Sequence, residues 1–143
     1  MASPDELRAK IDQSREAFRG ALSAAAGAWE TKPASGEGEA AWSPREVAEH
    51  AIPSEVFFAT KVCEACGYPG LTWEGARSFD SAEAAIEAFD AAIAMSNGRL
   101  TYVTDTDLPK KKDEAGRSAE EYLGLNAWHM DDHAAQLRAA AGA

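Results

Sequence analysis

Residues 118–140 read SAEEYLGLNAWHMDDHAAQLRAA, and their spacing decides the fold. Ser118-Ala119-Glu120-Glu121 is a capping box. The serine accepts from a free backbone N–H, and the glutamate three residues on reaches back to the cap. Beyond it, Tyr122, Asn126, His129, His133, Gln136 and Ala140 recur in steps of four and three, the repeat of one helical face. Leu123, Trp128 and Leu137 flank that seam and keep the helix amphipathic. Four successive seam residues are polar: Asn126, His129, His133 and Gln136. An unpaired buried polar group costs about 1–3 kcal/mol. Such a stripe implies groups that serve one another or a ligand.

The same start signals recur upstream. Ser43-Pro44-Arg45-Glu46 and Ser3-Pro4-Asp5-Glu6 each place serine at the cap, proline at the first helical position and glutamate three residues after the cap. Asp80-Ser81 before Ala82-Glu83 marks a fourth start, less sharply. The first helix should carry Leu7, Ile11, Phe18, Leu22, Ala25 and Trp29 on one stripe. The second, from about Ser43 to Cys66, carries Val47, His50, Ser54 and Phe57 on its seam, with Pro53 expected to kink it or disturb its hydrogen bonding. The third should bury Ala82, Ile86, Phe89, Ile93, Leu100 and Val103, with Ser96 between them, and Asn97-Gly98 weakens its second half. The predicted fold is all-α, a four-helix bundle in one domain over residues 1–143. The connections Thr31–Trp42, Gly67–Asp80 and Asp105–Arg117 are long for a simple up-and-down bundle. At least one should cross the bundle, so that two neighbouring helices run parallel.

Composition narrows the function. The chain has 14 lysines and arginines against 24 acidic residues, a net charge of −10 that repels phosphate backbones. The one basic run, Lys110-Lys111-Lys112, meets Asp113 and Glu114 at once and reads as a solvated loop, so no nucleic-acid partner is expected. No segment approaches the ~18 apolar residues of a membrane span. Met1-Ala2-Ser3-Pro4-Asp5-Glu6 lacks the basic start and apolar run of a signal peptide, which makes the cytoplasm the expected location. Cys63 and Cys66 form a C-x-x-C spacing. They stand at a helix end, just before Gly67, where the dipole opposes thiolate formation, so they read as inert thiols.

The histidines carry the functional reading. His129 and His133 lie four apart and stack on one helical face, so both can offer nitrogens to one metal ion. The pair is not the metalloprotease motif, which needs glutamate directly after the first histidine where this chain has Met130. His50 is the third and last histidine of the chain and also falls on a predicted seam. The three together predict one interior metal site. Asn126 and Gln136 are candidates to orient a ligand histidine or a substrate. Glu46 could serve as a base, but its capping role accounts for it. Tyr122, Ser54 and Ser96 are candidate pocket residues. Asp132 points about 100° away from His133 and reads as a surface charge.

Two blocks carry a family resemblance. Trp42-Ser43-Pro44-Arg45-Glu46-Val47-Ala48-Glu49-His50 resembles the W-S-x-x-E-V-x-x-H start of the second helix in the DinB/YfiT-like superfamily. His129-Met130-Asp131-Asp132-His133-Ala134-Ala135-Gln136-Leu137 resembles its H-x-x-x-H-x-x-Q-[LI] signature. The resemblance spans nearly the whole chain. It implies an up-down-down-up bundle and a divalent metal, zinc or nickel most commonly, on a triad matching His50, His129 and His133. It further implies a thiol S-transferase or a relative of the mycothiol-dependent maleylpyruvate isomerases, with a low-molecular-weight thiol cosubstrate and an electrophilic substrate. A homodimer is the corresponding assembly. Three imidazoles leave a coordination position open for thiol or water, so metal-dependent hydrolysis is the neighbouring alternative. Alternatives of another class are a metal- or ligand-binding bundle without turnover, and a dimerisation module.

Overall fold

The computed structural model describes residues 2–34 and 36–142. Among them are four α-helices and no strand: α1 (Pro4–Ala24), α2 (Pro44–Cys66), α3 (Ala82–Leu100) and α4 (Ala119–Ala140). Each starts at a serine whose hydroxyl accepts a backbone N–H: Ser3, Ser43, Ser81 and Ser118. Glu46 and Glu121 complete full capping boxes on α2 and α4. The helix α2 closes on Gly67, whose φ of 79° is the left-handed cap that glycine adopts without a Cβ penalty. It runs unbroken through Pro53, and α3 runs unbroken through Asn97-Gly98. Trp29 and Val103 lie beyond the ends of their helices, yet both are buried.

Side-chain ties set the topology. Arg8 on α1 donates to the carbonyls of Leu100 and Val103, and Arg19 pairs with Asp90, so α1 and α3 are antiparallel. Arg45 at the start of α2 reaches Asp80 before α3, and Arg99 at the end of α3 reaches the Pro69 carbonyl just after α2, so these two are parallel. The histidines pair the start of α2 with the far half of α4, which runs antiparallel to it. The bundle is therefore up-down-down-up. The packed neighbours are α1–α4, α4–α2, α2–α3 and α3–α1, with α1–α2 and α3–α4 on the diagonals. That arrangement requires the long connections, because two of them span a diagonal and the third returns along a parallel pair.

The core is two apolar clusters separated by a polar layer. One cluster holds Phe18, Leu22, Ile52, Phe89 and Met130, and the other Ile11, Val62, Leu100, Leu108 and Leu123. Phe18 and Phe89 meet with ring centroids 4.9 Å apart, a tilted contact contributing about 0.5–1.5 kcal/mol beyond area burial. Between the clusters lie buried Ser14, Arg15, Glu55, Ser96 and Asn126.

The helical faces differ from the predicted seams by a rotation. On α4 the buried stripe is Leu123, Ala127, Met130, Ala134 and Leu137, with Asn126 and His133 of the polar seam buried beside it and Tyr122, His129 and Gln136 only partly so. Trp128, expected to support amphipathicity, is 61% exposed. On α3, Ala85 and Ala92 are fully buried while Ile86 and Ile93 are only partly so. On α2, Val47 is buried but Phe57 is 53% exposed, which puts the Val47-His50-Ser54-Phe57 line on the rim.

Candidate metal centre

The second helix supplies His50, held in place by the start of α2. Arg45 joins Glu49, Glu30 and Asp80, while Glu49 accepts from the Phe79 backbone N–H at 2.9 Å. Trp29 donates its indole N–H to the Phe79 carbonyl at 2.9 Å, so the ends of α1, α2 and α3 are tied together here. His50 itself is exposed, with its ring against Trp42 at 5.3 Å between centroids. Ser54 lies one turn on and donates its hydroxyl to the His50 carbonyl at 3.0 Å.

The fourth helix supplies the other two. His133 is buried and His129 half-buried, the latter against Phe58. Ring nitrogens of His50, His129 and His133 all lie within 4.8 Å of one another. The interior expected for this site is therefore corrected: it lies on the α2–α4 edge, buried at His133 and open to solvent at His50.

Hydrogen bonding fixes one tautomer. Gln136 donates its amide N–H to the Glu39 carbonyl, which turns Oε1 toward His133 Nδ1 at 2.7 Å. An amide oxygen only accepts, so Nδ1 of His133 carries the proton and Nε2 presents a lone pair. That lone pair faces His129 Nε2 at 3.0 Å. Two imidazole nitrogens so close need either a proton or a cation between them. Burial, together with the neighbouring His133 and His50, lowers the His129 pKa to about 4, and burial lowers His50 as well. Both rings are thus neutral, as ligation requires, near pH 7. Three imidazoles on one locus, one of them oriented by an amide, fit a divalent ion with positions left over.

The remaining candidates separate. Gln136 belongs to the cluster, whereas Glu46 is occupied at the helix cap and with Lys32 at 2.6 Å. Tyr122 packs against the far apolar cluster. Ser96 lies in the polar layer, and Asn126 lies there too, one turn before His129 on α4. Ser54 also lines a cleft of about 390 Å³ with Phe57, Thr60, Trp73 and Arg77. Asp132 is exposed. Cys63 and Cys66 are buried free thiols, with burial raising both and Cys66 to about 11. The basic run is engaged: Lys110 pairs with Asp107 at 2.7 Å and Lys112 approaches Glu64 at 3.7 Å. Among the described residues no helix is long and apolar enough to cross a membrane.

Sequence reasoning missed Arg15 and Glu55. They form an ion pair across the α1–α2 diagonal, with both side chains buried. Arg15 also donates to Asp12, Asn97 and Ser96. A signal existed: the first-helix stripe has a gap between Ile11 and Phe18, and helical spacing puts Ser14 and Arg15 in it.

The fold and site define a class: an up-down-down-up helical bundle with three histidines between its second and fourth helices that could hold a metal ion. Within that class the chain belongs to the DinB superfamily, whose family model matches residues 10–137. No curated protein and no solved structure matches it.

Proposed function

We propose that the chain is a divalent-metal-dependent enzyme, with His50, His129 and His133 as ligands and thiol-dependent S-transfer or a related transfer or isomerisation as its chemistry. The observation that carries the metal reading is the convergence of three ring nitrogens within 4.8 Å, one of them oriented by Gln136. The choice of thiol chemistry rests on the resemblance to the DinB/YfiT-like superfamily. A zinc or nickel ion held there supplies Lewis acidity that makes a thiol or water nucleophilic near pH 7. The chain's own residues do the rest. Gln136 holds the proton on His133 Nδ1, Phe58 and Trp42 pack against the rings of His129 and His50, and the exposed His50 leaves an approach from solvent. The cleft beside Ser54 and Phe57 is of a size for a small electrophile, and the Arg77 on its wall suits an anionic one. Buried free thiols suit the reducing cytoplasm, and the exposed Phe57 and Trp128 offer surface to a homodimer.

The test is turnover. Protein loaded with zinc or nickel is assayed with cysteine, glutathione or mycothiol against monobromobimane. Metal-dependent conjugation that disappears in His133→Ala is the expected result. Loaded protein that conjugates no thiol and hydrolyses no ester would leave a binding bundle without turnover.

A further inference from the structure

Among the described residues, the buried side-chain polar atoms without a hydrogen-bond partner are four: Glu55 Oε2, both terminal atoms of the Asn126 amide, and His129 Nδ1. They belong to residues of the facing helices α2 and α4. Asn126 is one turn before His129. It lies close enough to Glu55 for its amide to lower that carboxyl, against the larger upward effect of burial, yet it makes no hydrogen bond of ordinary geometry. Native interiors seldom leave such atoms unserved, and four on two facing helices call for a cause.

The tautomers supply one. His133 Nε2 is an acceptor, so the 3.0 Å contact with His129 Nε2 in the ion-free chain places the His129 proton on Nε2. The four atoms are then three acceptors and one donor group, the Asn126 amide N–H2, and Asn126 Oδ1 has nothing to accept from. When His129 Nε2 is given to a cation, the ring proton sits on Nδ1 instead. The four atoms become two donors and two acceptors: His129 Nδ1–H with Asn126 Oδ1, and Asn126 Nδ2–H with Glu55 Oε2. Glu55 Oε1 already accepts from Arg15. We infer that Asn126 and Glu55 are positioning residues for His129, a relay anchored on Arg15 that closes, directly or through one bridging water, when the site takes up a divalent cation. It is the counterpart of the Gln136–Glu39 support already made at His133. Outer partners of ligand histidines fix ring orientation and raise ligand basicity.

This inference rests on the proposed metal site, and the experiment separates the two. Zinc affinity is measured by competition with a chromophoric chelator, and cobalt(II) is followed by its visible absorption, for the wild type, Asn126→Leu, Glu55→Gln, His129→Ala and the double variant His129→Ala/Asn126→Leu. Leucine has asparagine's branching and number of heavy atoms and removes both orphaned atoms, so the thermal midpoint of the ion-free protein should hold or rise. The expected result is an affinity about 10- to 100-fold weaker in Asn126→Leu, with an altered cobalt spectrum. Glu55→Gln should show a smaller loss, and Asn126→Leu should have no further effect once His129 is gone. Wild-type binding that Asn126→Leu leaves unchanged overturns the relay alone, as does an equal loss in the His129→Ala background. A wild type that binds neither ion overturns the metal site and the relay together.

Discussion

Among the described residues two carboxylates are buried, and they are treated in opposite ways. Asp107, in the connection before α4, accepts from the Tyr68 hydroxyl, the Lys110 ammonium, and the backbone N–H and hydroxyl of Thr104. Burial alone would raise it, but those bonds outweigh burial and hold it at about 2. Glu55, in the middle of α2, is raised by burial against the pull of Arg15, and one of its oxygens has no partner. A carboxylate that only ties a loop can be saturated with donors. One that supports a site keeps a valence free for a group that changes state. The same contrast separates His133, whose outer nitrogen is served by Gln136, from His129, whose outer nitrogen is not.

The largest break in this comparison should come from Arg15→Ala, which strands Glu55 as a buried charge. We expect a loss of about 3–5 kcal/mol in chemical denaturation. Arg15→Met with Glu55→Leu should recover most of it, because a well-packed apolar pair avoids the desolvation cost. A loss below about 1 kcal/mol for Arg15→Ala would mean that the pair is hydrated.

Asp107→Ala should cost less, about 1–3 kcal/mol, because the donors it leaves are near solvent. Its pH signature is more specific. The folded pKa of about 2 lies below the ordinary value of 3.8, so its contribution is complete above about pH 4 and is lost as pH falls toward 2. Stability measured from pH 5 to 2 should fall less steeply in Asp107→Asn than in the wild type. Equal slopes would remove Asp107 from the account.

Smaller still is Ser118→Ala, which removes the cap of the helix carrying His129 and His133. A cost of about 1 kcal/mol is expected in thermal or chemical unfolding. The smallest effect is a flat line. With His129 lowered to about 4, that ring stays neutral at pH 6. Its ring resonances, followed by NMR in the ion-free protein, should therefore hold still between pH 7.5 and 6, whereas an ordinary imidazole would titrate through about pH 6.5.

Helix starts were legible because a cap is a local device: Ser3, Ser43, Ser81 and Ser118 need only the next few residues to work. The meeting of His50 with His129 and His133 was legible because each pattern places its histidine on the line where two helices face. The rotation of α4 was not. Ala127 and Ala134 add little to an apolar pattern, yet both are buried, so periodicity alone centres the seam one step toward the polar edge. Arg15 and Glu55 were hidden for another reason. Each is an ordinary charge within its own helix, and their pairing across 40 positions exists only in the packed bundle.

The most direct test is metal content. Tag-free protein purified without chelator and loaded with zinc or nickel should hold about one ion per chain by elemental analysis. His129→Ala and His133→Ala should lose it, and His50→Ala should weaken it. A folded wild type that holds no ion after loading with zinc, nickel, manganese or iron would contradict the account, and the three histidines would then be a hydrogen-bonded cluster of the bundle edge.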